Sequence, residues 1–352
     1  NKLWDMFLLR QNRHKKENSD IFKKKSINTG SSIRLDKEKY IRASFHTVVF
    51  TLLLRYSALS GGQQLQDLRG GGMQGAVHAD VLDFLRYRAF SKLAAASGFE
   101  EPATRNTSED HCEVVECFAS PLNVGLGNNI YDAKTQENNI YLSAFPRDID
   151  GYFDSSGDFF SQTSDWFLSP SPATKFNTIA KDVSYNSQRC YYEVNPPFSP
   201  GLITKMSQQL NTHLTAADEA QRSLTFVVII PTAHDNKDGD ILHSLSYCSF
   251  QNMISSRHCC HHVVLSRRTH GYIEGSQHCR LQQFKESQFE TSVIVLQSEV
   301  AMREIFGGTN DDNCKDTWKK QFERGIRESF LSKHQIELEE RRETKKRKSL
   351  ES

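Results

Sequence analysis

Apolar positions along this chain follow two periods. Between Asp36 and Gly62 they recur at helical spacing, with Tyr40, Phe45, Val48, Val49, Leu52 and Leu53 along one stripe and Gly61 and Gly62 as a stop, which predicts one long helix. A glycine-rich hinge at 68–80, LRGGGMQGAVHAD, precedes a second predicted helix, VLDFLRYRAFSKLAAA, ended by Gly98. From Glu113 the runs shorten and become β-branched and aromatic: EVVECFAS, NIYLSAF, CYYEV, LTFVVIIP, HHVVL and SVIVLQ. Several are apolar on both faces, the pattern of strands covered on both sides of a sheet. After CYYEV comes SPGLITKMSQQLNTHL, with Ser199 at the cap position, Pro200 in the first turn, and Leu202, Met206, Leu210 and Leu214 at four-residue spacing. Trp318, Phe322, Ile326 and Phe330 repeat that spacing in a last predicted helix.

Strand, tight turn, helix and strand make a βαβ unit with a right-handed crossover, so the fold class is α/β. The expected organisation is a basic leader over 1–32, a helical domain over 33–98, a polar linker over 99–112, an α/β core over 113–335 and a basic tail over 336–352. Asn195-Pro196-Pro197-Phe198 falls at the carboxyl end of a predicted parallel strand, the edge where open α/β sheets bind ligands. As a bare tetrapeptide it is also a good turn.

Composition narrows the class. With 352 residues and a net charge of +1, the chain can bury a sizeable core, and its charge is concentrated in basic stretches near both ends. Lys345, Lys346, Arg347 and Lys348 fit a solvated tail, an RNA phosphate contact or a nuclear-import signal. The eight cysteines form no C-x-x-C pair, which points away from a zinc ribbon or a disulfide framework and toward a reducing compartment. RHCCHH at 257–262 has metal-ligand residue types, but consecutive side chains cannot converge on one ion, so no metal is expected. The longest apolar run, TVVFTLLL, is far shorter than the about 18 residues of a membrane span, so a soluble, intracellular protein is expected.

Asn-Pro-Pro-Phe has a specific chemical use. The exocyclic amine of adenine is a poor nucleophile because its lone pair is delocalised into the ring. The Asn195 side-chain carbonyl can accept one amine hydrogen, and the carbonyl of Pro196, held by its stiff ring, the other. Two such acceptors favour the pyramidal nitrogen of the transition state. Phe198 offers a flat face for the base, holding nitrogen and methyl donor in line. N6-adenine methyltransferases that use S-adenosylmethionine work this way. No G-x-G-x-x-G is present. In its place Ser120, Pro121, Leu122 and Asn123 follow the first strand, and Asp148 and Asp150 offer carboxylates that could meet ribose hydroxyls.

Taken in order, ECFASPLN at 116–123, SAFPRDIDGYF at 143–153, NPPF at 195–198 and HGYIEGSQH at 270–278 resemble the phosphorylated-CTD-interacting factor family, the cap-specific adenosine N6-methyltransferases. The hinge GGGMQG and the strand FVVIIP resemble its pattern too. The resemblance implies a Rossmann-like class I methyltransferase core with an N-terminal helical domain, in the nucleus, methylating N6 of the 2′-O-methyladenosine beside the 7-methylguanosine cap of mRNA. It implies catalytic roles for Asn195, Pro196, Pro197 and Phe198. Ser120, Pro121, Asn123, Asp150 and Asn195 would lie at the S-adenosylmethionine, and Phe198, Arg267 and Arg268 at the substrate, the arginines on the cap triphosphate. For His270, Tyr272, Ser276, Gln277 and His278 both core packing and cap binding fit. Partners implied are the capped mRNA 5′ end and the RNA polymerase II C-terminal tail, although no WW domain is recognised in the sequence. Asp154 stands where the family has glycine, and 128–138 and 158–183 read as surface-loop insertions. Two rivals remain: the same chemistry on other RNA or DNA, and a catalytically silent protein that binds capped RNA or the transcription machinery.

Overall fold

The computed structural model describes residues 3–8, 10–11, 32–59, 76–90, 113–124, 141–153, 155–169, 190–233, 241–273, 284–306 and 312–331. Gly61, Gly62, Asp154, Ser276 to His278, and Lys345 to Lys348 lie outside them. A six-stranded, mostly parallel sheet forms the centre, built from β1 (Glu113–Ala119), β2 (Tyr141–Ser143), β3 (Cys190–Val194), β4 (Thr225–Pro231), β5 (Cys259–Leu265) and β8 (Thr291–Gln297). Its order is β2-β1-β3-β4-β8-β5. The first four pair in parallel, whereas β8 runs antiparallel between β4 and β5. A separate hairpin of β6 (Gly271–Ile273) and β7 (Phe284–Glu286) precedes β8.

Alternation sorts each strand onto two apolar layers. Val114, Tyr191, Val227, Ile229, Val263, Val293 and Val295 face one. There they meet α2 (Ala79–Tyr87), α6 (Glu299–Phe306) and α7 (Asp312–Ser329). Val115, Cys117, Tyr192, Val194, Phe226, Val228 and Ile294 face the other, under α4 (Pro200–Glu219) and α5 (Ile241–Ile254). Three layers result, with both faces covered, which is why β4 reads as an almost uninterrupted apolar run. Gly325 of α7 lies so close to Phe84 of α2 that an added Cβ would overlap the ring. The last-helix stripe is realised: Trp318, Phe322, Ile326 and Phe330 are all buried.

The long first helix, α1 (Ser32–Leu59), buries Phe45, Val48 and Leu52 against Tyr141, Ile149 and Phe153 near the β2 edge. Among the described residues no helix is long and apolar enough to cross a membrane. Three expectations change. The second helix stops at Tyr87, because Arg88 and Ala89 both turn back to the Phe84 carbonyl. Ser199 occupies the cap position of α4 in extended geometry, but its side chain makes no capping bond. Of the surface insertion expected over 158–183, the described part, 158–169, is not a surface loop: a 3-10 turn and the short α3 (Ser164–Phe167) bury Phe159 and Phe167 beneath α4, whereas 170–183 and the expected insertion at 128–138 lie outside the described residues.

Candidate active site

The chain enters at β1, steps outward to β2, then crosses to β3 on the other side of β1. The strand order therefore reverses between β1 and β3, and the crevice beyond their carboxyl ends is the topological switch point where such sheets bind ligands. Two of the motifs singled out above converge there. Ser120 to Asn123 follows β1, and Asn195 to Phe198 follows β3.

The β1 turn closes on itself. The Ser120 N–H and Oγ–H both donate to Asn123 Oδ1 at 2.7 Å, while Ser120 Oγ accepts from the Leu122 and Asn123 N–H groups at 3.2 and 3.3 Å. Val124 N–H donates to the Ser120 carbonyl at 2.8 Å. Ser120, Pro121 and Asn123 thus shape a buried corner, with the two polar side chains engaged first with each other.

Asn195 leaves β3 at 2 % exposure. In the turn that follows, Ser199 N–H donates to the Pro197 carbonyl at 2.7 Å. No described donor reaches the Pro196 carbonyl, the acceptor that the amine chemistry calls for. Phe198 is half-buried, its ring perpendicular to Phe289 at 5.5 Å and to Tyr272 at 6.3 Å.

Tyr272 belongs to a hydrogen-bond chain whose direction follows from chemistry. The Ser266 carbonyl only accepts, so His270 Nδ1 carries a hydrogen and donates to it at 2.9 Å. Burial lowers the His270 pKa, so the ring is neutral and Nε2 accepts from Thr291 Oγ1 at 2.7 Å. Thr291 Oγ1 then accepts the Tyr272 hydroxyl hydrogen, again at 2.7 Å. His270 and Tyr272 are both buried, and Tyr272 packs against Phe198, an arrangement that fits the core-packing alternative for these two residues.

Asp150 follows β2 but is fully buried. The Tyr56 hydroxyl, from α1, donates to its Oδ2 at 2.7 Å and Phe145 N–H at 3.0 Å. Burial pushes this carboxyl above the usual range, against the pull of hydrogen bonds from Tyr56, Ser143 and Phe145. Its Oδ1 has no hydrogen-bond partner among the described residues. Asp148 is instead exposed and pairs with Arg55 at 2.7 Å. Arg267 and Arg268 lie exposed past the carboxyl end of β5, on the same edge as Phe198, and neither guanidinium has a partner among the described residues.

Sequence reasoning missed a pair of acids. Glu116 and Glu193 sit directly across from each other in the β1–β3 register, at 6 % and 3 % exposure. Burial, then the Glu116 charge, pushes the Glu193 carboxyl well above the usual range. The signal was present as a charged residue inside each of two buried strands, but their apposition depends on strand order. The RHCCHH residues, in contrast, diverge. His258 bonds Asp218 at 2.9 Å, His261 turns to Trp318 and Phe322, and His262 turns to Ser292 and Phe250 across the sheet. Among the described residues no His, Cys, Asp and Glu side chains cluster as a metal site.

Residues 107–275 match the family model described as the phosphorylated CTD interacting factor 1 WW domain. The match supports the family resemblance, and it spans the ECFASPLN, SAFPRDIDGYF and NPPF motifs. The described residues within the match form strands of the main sheet and the helices packed on it. No curated protein matches the chain.

Proposed function

We propose that the chain, whose residues 107–275 match the phosphorylated CTD interacting factor 1 model, is an S-adenosylmethionine-dependent N6-methyltransferase acting on the cap-adjacent 2′-O-methyladenosine of mRNA. The observation that carries the proposal is the position of Asn195-Pro196-Pro197-Phe198 at the switch point, beside the Ser120–Asn123 turn, with the Pro196 carbonyl taking no hydrogen bond from the described residues. The reversal of strand order beside this turn supports a Rossmann-like core, and the α1 and α2 layers supply the helical part.

The residues present fit S-adenosylmethionine. That molecule is a cation with a ribose diol, and wants acceptors; Asp150 Oδ1 and Glu193 Oε1 are buried acceptors without partners among the described residues. When bound, it supplies the methyl group. Asp150, anchored by Tyr56, would offer its remaining oxygen to the ribose, and the Ser120–Asn123 corner would shape the adjoining wall. Asn195 Oδ1 and the Pro196 carbonyl accept the two amine hydrogens of the adenine, favouring the pyramidal nitrogen, and Phe198 holds the ring. Arg267 and Arg268 face the phosphates. The nucleus as location and the RNA polymerase II C-terminal tail as partner belong to this proposal, the latter supported by the family description.

The test supplies labelled S-adenosylmethionine with capped RNA beginning in 2′-O-methyladenosine, its uncapped twin, and DNA. Label confined to the capped RNA is expected. Equal labelling of the uncapped twin overturns cap specificity, and no labelling despite measurable cofactor affinity favours a binding protein.

A further inference from the structure

Phe289 is a large apolar side chain left 38 % exposed beside the candidate site. It is not a loose loop tip. Ser287 Oγ donates to the Phe289 carbonyl at 2.8 Å, and Ser287 N–H donates to the His270 carbonyl at 2.9 Å. The same Ser287 accepts at its carbonyl from Arg268 N–H at 2.8 Å, with Arg268 held in the left-handed region at φ 65°. Phe289, Arg267 and Arg268 therefore share one cross-tied rim at the carboxyl edge. Phe289 reaches Phe198 at 5.5 Å. An exposed aromatic ring on the same rim as guanidinium groups that no described residue engages is the combination that holds single-stranded nucleic acid, the ring stacking a base while the cations follow the phosphates.

We infer that Phe289 is the stacking platform for the nucleotide flanking the target adenine, so that the site takes a strand of RNA rather than a single nucleoside. The inference rests on the adenine-methylation reading for the role of Phe198. It extends that reading by placing a second base position between Phe198 and the two arginines. Any base has a π-face, so this position is tolerant of sequence and contributes affinity instead of readout.

The experiment measures binding of fluorescently labelled short capped RNA by anisotropy, without cofactor, for the full chain and for Phe289→Leu, which keeps apolar volume but loses the aromatic face. One RNA carries a base next to the target adenosine; its twin is abasic there. The expected result is a loss of about tenfold for Phe289→Leu on the base-bearing RNA and none on the abasic twin, whose binding to the unaltered protein is weakened by the same factor. Phe289→Trp should bind the base-bearing RNA at least as well as the unaltered protein. In the Arg267→Gln/Arg268→Gln variant the salt slope of binding should fall by about 0.7 for each phosphate the arginines no longer neutralise. Equal losses on both RNAs would make Phe289 a structural brace for Phe198 and overturn the inference, as would no loss on either. Methyl transfer is scored separately: RNA that binds through Phe289 but receives no label refutes the methylation reading alone, while labelled RNA indifferent to Phe289 refutes the flanking position alone.

Discussion

The two edges of the central sheet differ in how they treat polar groups. At the amino-terminal edge several of them are engaged with one another. Asp218, at the end of α4, accepts from Arg257 at 3.0 Å, His258 at 2.9 Å and the Glu299 N–H at 2.8 Å. Ser298 Oγ accepts from the Leu224 N–H at 3.0 Å and donates to the Arg222 carbonyl at 2.8 Å. These bonds join the end of α4 to the starts of β4, β5 and α6 at their joints. At the carboxyl edge the Pro196 carbonyl, the Arg267 and Arg268 guanidinium groups and Asp150 Oδ1 have no partner among the described residues, and Phe289 faces solvent. A buried acceptor such as Asp150 Oδ1 left unpaired by the described residues is a group available to a ligand. Substitutions at the first edge should change stability, and those at the second should change chemistry.

The largest effect is expected where that division is sharpest. Asn195→Ala removes the acceptor proposed above for an amine hydrogen and should lower methyl transfer to capped RNA by at least about a hundredfold. The stability cost should stay within about 1–2 kcal/mol, read from urea unfolding. A variant that methylates normally would break the assignment of chemistry to this edge. Asp218→Ala is its counterpart. Removing the acceptor leaves the buried His258 and the Glu299 N–H unsatisfied, and unfolding free energy should drop by about 3 kcal/mol. Cofactor affinity of the fraction that remains folded, measured by calorimetry, should be unchanged.

His213 lies between the two edges, on α4, and sharpens the comparison through pH. Its Nδ1 is 2.9 Å from Ser164 Oγ, and burial pushes its pKa down from the ordinary 6.5 to about 4. The folded protein thus binds fewer protons than the unfolded chain between those values. Stability is fully present above pH 6.5 and is lost as pH falls toward 4, by about 2–3 kcal/mol. His213→Gln should flatten that slope in urea unfolding curves taken across the window. An unchanged slope would shift the acid sensitivity to other groups.

The strands were legible because their runs are apolar on two faces, and the βαβ unit around Asn195 because a turn and a helix with Pro200 in its first turn follow one of them. Their order was not. SVIVLQ is buried on both faces, so nothing in it marks it as antiparallel or as the strand that separates β4 from β5. The β6–β7 hairpin escaped because three-residue strands leave almost no period to read. Candidate residues could be named one by one, but their surroundings come from afar. Tyr56 meets Asp150 across 94 positions, and Phe289 meets Phe198 from beyond β7. Glu116 and Glu193 stood in view as isolated charges, and only the register of β1 against β3 made them a pair.

The smallest effect tests what the Ser120–Asn123 corner is for. Ser120 Oγ gives one hydrogen to Asn123 Oδ1 and accepts two longer backbone bonds, but the Ser120 N–H still reaches the same oxygen when the hydroxyl is gone. Ser120→Ala should therefore cost about 1 kcal/mol of stability and move cofactor affinity by less than about threefold. Asn123→Ala removes the shared acceptor, opens the corner from both sides and should weaken the cofactor more than Ser120→Ala does. If Ser120→Ala instead weakens the cofactor with no loss of stability, the hydroxyl touches the ligand directly, and the corner acts by contact rather than by shape.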